Sequence, residues 1–381
     1  MNEQEFDRLR SEVEAYIRGP AERWAERIES THAVPAELWE ELRARGYLNL
    51  AAPTELGGRG LPFTRYLELM EIISMSHAAV RMIVHVVNGT WRAMDGYASA
   101  EQRERFVKPS VSGRIRIAFA LTEPGAGSGA DLRCAVVRKG ETYYLSGEKH
   151  MITFGSICDY WLLFARVAGS KGAAGTVALL VPRDVANARV EVMPGSMGVR
   201  GSDHARMSFD GAPVPLANRL GAEGQGLEVA LGGFLAPSRI SVAMSCVGLA
   251  RRAYELAVTH ARTRETFGKT LSQRQAIAFM IADMATDIEA ARHLVMHAGR
   301  EWQNAGAGAH KLSSMSKLFA VSMLQRVTDQ SLQIHGGPGY WEPSPIERIY
   351  RDARAQRFEE GTNEIQRTVI AREIFKEASE T

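Results

Sequence analysis

The reading of the chain turns on residues 119–137, FALTEPGAGSG and then, after Ala130, DLRCAVV. An apolar run from Ile117 to Leu121 enters this segment, and Pro124, Gly125, Gly127 and Gly129 then turn it sharply. Glycines open backbone conformations closed to other residues and let a ligand come close, while Thr122 and Ser128 add hydroxyl groups. The run lacks the Gly-Lys-Ser/Thr ending of a P-loop. Residues 131–137 read as a strand, whereas a dinucleotide fingerprint would open a helix. The segment is a glycine-rich turn between two strands, which either stands alone as a turn or carries a ligand.

The same short period continues downstream. Runs at Thr142–Leu145, Tyr160–Val167, Thr176–Val181, Val190–Met193 and Arg206–Phe209, bounded by turn residues, predict strands and a compact β-domain or barrel. Upstream, Phe6, Leu9, Val13 and Ile17, then Leu38, Leu42, Leu67, Met70 and Ile73, recur at helical spacing. After Gly226, long helices over about Ser238–Thr263, Gln273–Gln303, Lys311–Ile334 and Asn363–Glu377 suit a bundle. The expected division is 1–116 helical, 117–225 β and 226–381 helical, and the lack of βαβ alternation excludes a doubly wound nucleotide fold.

The 381 residues balance 46 Lys and Arg against 44 Asp and Glu, without the basic face of a nucleic-acid binder. Three scattered cysteines, Cys134, Cys158 and Cys246, argue against a disulfide framework or a cysteine zinc site and read as small apolar fillers. His293 and His297 are spaced to share a metal but lack the acidic residue of a zinc-protease motif, so no metal site is expected. The N-terminus has no signal-peptide core, and apolar runs such as that around Ile83–Val87 are short for a membrane span, so a cytosolic protein is expected.

Six ordered motifs extend the reading over the whole chain. They are Thr122-Glu-Pro-Gly-Ala-Gly-Ser128, Gly147-Glu-Lys-His-Met-Ile-Thr153, Met197-Gly-Val-Arg-Gly-Ser-Asp203, Arg264-Glu-Thr-Phe-Gly-Lys269 with Gln275, Gln333-Ile-His-Gly-Gly337 and Glu360-Gly-Thr-Asn-Glu-Ile-Gln366. In this order they resemble the acyl-CoA dehydrogenase family. The resemblance implies an α-helical N-terminal domain, a middle β-barrel domain and a C-terminal four-helix bundle. It also implies bound FAD, an acyl-CoA substrate, an electron-transfer flavoprotein as acceptor and a homo-oligomer, tetramer or dimer.

By the same resemblance, Phe119, Leu121 (through its backbone), Thr122, Gly127, Ser128 and Thr153 line the flavin, and Met151 stacks on it. Arg264, Phe267, Gln275, Gln333, Gly336, Gly337, Thr362 and Glu364 complete the cofactor set, with Arg264 and Phe267 reaching a neighbouring subunit's FAD. Glu360 is the base that removes the α-proton, and its own amide polarises the thioester oxygen. Ser128, Arg81, Arg239 and Gly361 contact substrate. Some relatives place the base just before the arginine matching Arg239. Here that place holds Ser238, which leaves Glu360.

Three departures bear on the site. Gly129 stands where an Asp is usual, so bracing of the turn falls to Asp131 or is missing. Phe154 replaces a polar residue. Glu359 replaces a frequent aromatic, and a second acid beside Glu360 would disfavour its ionisation through charge repulsion. Arg81 falls where relatives acting on dicarboxylic thioesters carry an arginine facing the acyl pocket, which suggests a dicarboxylyl-CoA substrate. The alternative is an Arg bound to a helix end or to Glu71. Rival outcomes on the same scaffold are oxidative decarboxylation, desulfination, enoyl-CoA reduction, an oxidase, or flavin binding without turnover.

Overall fold

The computed structural model describes residues 1–125 and 131–380. Five helices lead: α1 Glu3–Arg18, α2 Glu22–Thr31, α3 Ala36–Ala44, α4 Phe63–Ile73 and α5 Ala78–Asp95. A capping box starts α1, in which Asn2 Oδ1 accepts from Glu5 N–H and the Glu5 carboxylate accepts from Asn2 N–H. Phe6, Leu9, Val13 and Ile17 face inward along one stripe of that helix, as their spacing predicts. His77 caps α5 with Nδ1 and donates Nε2–H to Glu29 at 3.0 Å.

Eight strands come next: β1 Ile117–Ala120, β2 Ala135–Lys139, β3 Thr142–Thr153, β4 Tyr160–Val167, β5 Thr176–Pro182, β6 Ala188–Val192, β7 His204–Pro215 and β8 Arg219–Leu220. They form one sheet in the order β6-β7-β3-β2-β4-β5-β8, with β1 also against β4. Both β1 and β2 run parallel to β4, Ala120 opposite Leu163 and Ala135 opposite Arg166. The chain thus leaves the sheet after Ala120 and rejoins it at Ala135, slightly further along β4. Strand β3 runs well past the predicted Leu145, because register shifts between Leu145 and Gly147 and between Lys149 and Ile152 break the alternation that marks a strand in sequence.

The C-terminal part holds α6 Ala236–Thr263, α7 Gln275–Ala305, α8 His310–His335, α9 Pro345–Ala355 and α10 Asn363–Glu380. Helix α6 is buried almost all round from Ala236 to Ala250 and packs against α4, α7 and α8. The continuous helical stretch Gly226–Thr263 has the length and hydropathy (1.3) of a membrane span, longer than the apolar runs read in sequence; 78% of its apolar window is buried inside the protein, as in a core helix. The β-turn at 197–203 is docked on α9, where Val199 N–H donates to Asp352 Oδ1 at 2.6 Å. A Cβ on Gly198 would lie 2.5 Å from the Arg351 backbone, so only glycine permits this approach. Residues 359 and 360 come shortly after that helix.

Candidate active site

Glu360 lies between α9 and α10 with φ +52°, in the left-handed region. A non-glycine residue there costs of order 1–3 kcal/mol and persists only when its surroundings impose it, most often at active sites. The restraints are visible. The Glu360 carbonyl accepts from Arg239 Nε at 3.2 Å and Gln366 Nε2 at 3.0 Å. The next carbonyl, of Gly361, accepts from Gln366 Nε2 at 3.1 Å and from the buried Lys317 Nζ at 2.5 Å. With both carbonyls held back, the Glu360 N–H has no acceptor among the described residues. Its side chain keeps 14% exposure.

The carboxylate is held at one oxygen. Ser238 Oγ donates to Glu360 Oε1 at 2.8 Å and lies 3.0 Å from His85 Nε2, which is itself 3.7 Å from Oε1. The other oxygen, Oε2, has no hydrogen-bond partner among the described residues.

Arg81 departs from the reading in sequence. Its side chain is 2% exposed, and both terminal nitrogens are committed to Glu359, at 2.8 Å and 2.9 Å. A guanidinium engaged in this two-pronged way is not a free cation for a substrate carboxylate. The expected partner Glu71 is bound instead by Arg251 and Arg292, at 3.0 Å and 2.8 Å. Glu359 is not the repulsive neighbour expected either. Burial pushes its carboxyl up, but Arg81 more than offsets this and holds it below the usual carboxylate range.

On the middle domain, the turn is braced by a pair that sequence reasoning missed. Glu123 accepts from the N–H groups of Arg133 and Cys134 at 2.6 and 3.1 Å, and from Lys149 Nζ at 2.8 Å. Lys149 is fully buried and also donates to the Leu121 carbonyl at 3.0 Å. The acid inside the glycine-rich motif and the lysine of the 147–153 motif therefore tie the two segments together, a task that the sequence leaves to Asp131, which is exposed, or to no residue. His150 N–H adds a bond to the Thr122 carbonyl at 2.9 Å.

Beside this joint, Met151 has φ +54° and is 53% exposed, and Thr153 Oγ1 lies 3.3 Å from His204 Nε2. Phe154 turns inward instead, edge-on to Trp39, which explains its apolar character. Phe119 stacks on Phe234 with ring centroids 4.4 Å apart, and Phe234 in turn contacts His85. That contact joins the strand leading into the turn to the surroundings of Glu360. Gly127 and Ser128 lie outside the described residues.

A second group gathers at the far end of α6. Arg264 closes that helix and makes no ion pair among the described residues, and Phe267 on the hairpin beyond it is 97% exposed with φ +49°. Gln275 opens α7 and is exposed, as are Gln333, Gly336 and Gly337 at the end of α8. His260 and His335 stack at 4.5 Å between the two helices, which brings Arg264 and the Gly336 turn together. Burial, His335 and Arg264 all hold the His260 imidazole below its ordinary value, as in a cationic pocket. Thr362 Oγ1 accepts from Ile365 N–H at 3.4 Å, and the exposed Glu364 lies one residue into α10.

Three domain models, described as acyl-CoA dehydrogenase N-terminal, middle and C-terminal domain, match residues 3–114, 118–212 and 224–375. The chain belongs to the acyl-CoA dehydrogenase family. It is 37% identical over 375 residues to an acyl-CoA dehydrogenase of Bacillus subtilis (strain 168), covering 98% of each chain. It is 34% identical over 355 residues to the caffeyl-CoA reductase-Etf complex subunit CarC of Acetobacterium woodii, covering 92% of each. The structure of butyryl-CoA dehydrogenase from Megasphaera elsdenii superposes with a TM-score of 0.90 at 30% identity, covering 98% of this chain and 99% of that one. The protein is accordingly an oxidoreductase of the CH–CH class, in a family that uses FAD.

The residues present fit that cofactor. Met151 is turned outward beside the Leu121–Thr122 joint and leaves a face for a planar ring, while Arg264 and the Gly336 turn supply cationic and backbone partners for a pyrophosphate.

Proposed function

We propose that the protein dehydrogenates a saturated acyl-CoA between its α and β carbons, with Glu360 as the base. The observation that carries this is the strained Glu360 itself, whose N–H and Oε2, presented at one place, have no partner among the described residues. Bound FAD supplies the acceptor for the β-hydrogen and its electron pair. The chain's own residues do the rest. Glu360 Oε2 takes the α-proton, and Glu360 N–H donates to the thioester oxygen, where negative charge develops as the proton leaves. Arg239, Gln366 and Lys317 hold the backbone so that both groups arrive preorganised.

Leu121, Thr122, Met151 and Thr153 are the residues we assign to the flavin ring. Arg264, roughly 35–40 Å from Arg239 at about 1.5 Å per helical residue, cannot serve the same ring, so we assign Arg264 and Phe267 to the FAD of a second copy of this chain. An electron-transfer flavoprotein is the acceptor we infer, supported by the Etf-complex name of one relative. Engagement of Arg81 by Glu359 favours a neutral acyl group over a dicarboxylic one.

The test is anaerobic mixing of the FAD-loaded protein with a panel of butyryl-, isobutyryl-, hexanoyl- and glutaryl-CoA. Bleaching of the flavin by a neutral member and release of the 2-enoyl product is the expected result. No bleaching by any member refutes the reading.

A further inference from the structure

Arg81 and His85 lie one turn apart on the same face of α5, and each meets one of two consecutive acids, Glu359 and Glu360. The first contact is an ion pair. The second runs through Ser238, on α6, and its protons can be assigned from chemistry alone.

A carboxylate only accepts, so the single hydroxyl hydrogen of Ser238 goes to Glu360 Oε1. The serine oxygen is then an acceptor toward His85, and the ring nitrogen facing it, Nε2, must carry a hydrogen. All the hydrogens in the chain His85, Ser238, Glu360 therefore point toward the carboxylate. His85 and Ser238 are 3% and 4% exposed, so water does not compete for these bonds. His85 Nδ1 has no partner among the described residues, and nothing pulls the ring into the opposite tautomer.

Resting on Glu360 as the base, we propose that His85 and Ser238 are positioning residues for it. Together they pin Oε1 and leave Oε2 alone to accept the α-proton. A carboxylate on a rotatable side chain presents either oxygen in many orientations, and abstraction needs one oxygen within reach of one C–H bond. The brace removes that freedom. The other charged groups near the two acids are Arg81 on α5, Arg239 on α6, Lys317 on α8 and the Arg81-bound Glu359. None of these side chains bonds the Glu360 carboxylate.

Three substitutions test the brace in the FAD-loaded protein: Ser238→Ala, His85→Leu and His85→Gln. Glutamine places an amide N–H where Nε2–H stands and keeps the hydrogen-bond direction. With whichever panel thioester bleaches the wild type fastest, Ser238→Ala and His85→Leu are expected to slow flavin reduction about tenfold or more. Thioester Kd should stay within about threefold. His85→Gln should recover most of the rate. A second readout needs no turnover: in the protein without thioester, nitrogen-15 spectra should show His85 protonated at Nε2, with that resonance displaced in Ser238→Ala. Equal loss in Kd and rate, failure of glutamine to rescue, or an Nδ1–H tautomer would each overturn the brace. Failure of the wild type to bleach with any panel member refutes the base assignment instead.

Discussion

Removing the guanidinium of Arg81 isolates the question of what that residue does. In Arg81→Met the length of the side chain is kept, but Glu359 loses both of its charge-assisted bonds while remaining 17% exposed. Stripping one partner from a buried ion pair costs about 3–5 kcal/mol, because the remaining charge is neither hydrated nor paired. Lys317 lies near enough to soften the penalty, so the lower half of that range is expected. For a cooperative unit of 381 residues, at about 2.1 cal/mol/K per residue, each kcal/mol lowers Tm by roughly 1.2 °C, giving a fall of about 4–5 °C by calorimetry. The sign with pH is set by the depressed Glu359 carboxyl. Its contribution in the wild type is present above the ordinary carboxylate range and is lost as pH falls through the depressed value. In Arg81→Met the buried acid takes up a proton more readily, so the deficit against the wild type should shrink toward acid pH. Adding Glu359→Gln should restore most of the stability, and activity on neutral and dicarboxylic thioesters should change in parallel throughout. A single variant as stable as the wild type that loses only glutaryl-CoA activity would show that Arg81 reads the substrate.

Glu360→Gln should retain FAD and fold normally while flavin reduction slows by about 10²–10⁴, the range a positioned general base supplies, checked by anaerobic stopped flow. Lys149→Met leaves Glu123 buried without its cation and frees the Leu121 carbonyl, so bound FAD per chain should fall together with Tm. Arg264→Met should weaken FAD retention without slowing reduction of chains that keep the cofactor, read from absorbance after gel filtration. Burial pushes the Glu29 carboxyl up, but bonds from His77 and Arg351 override this and hold it down to about 2. Its stabilisation is full above the ordinary carboxylate range and is lost as pH falls from there toward 2, so Glu29→Gln should flatten the acid side of the stability profile.

Much of the fold is legible in the sequence, for identifiable reasons. The long helices announce themselves because apolar spacing persists over many turns, and strand β4 is bounded correctly because Trp161–Ala165 is buried on both faces and reads as an apolar run. Strand β3 reads too short because its bulges hide the alternation. The motif around Glu360 points to the base proposed above, whose left-handed backbone no sequence pattern discloses. What sequence does not disclose are partnerships across large separations. Nothing local to Arg81 says that its counter-ion is Glu359, or that His85 leans on Ser238, since each of those bonds joins segments more than a hundred residues apart. The pairing of Glu123 with Lys149 is likewise hidden, because a buried lysine looks like any strand lysine until the sheet is folded.

The segment carrying Glu360 is held by side chains from positions 81, 85, 238, 239 and 317, and by Gln366 after it. Closing those contacts requires most of the chain to be in place first, so they are costly in loop entropy until the helices have docked. The segment carrying Glu360 is thus the keystone of the fold, set onto an arch already standing, and the proton abstraction proposed for Glu360 depends on every one of those stones being in place.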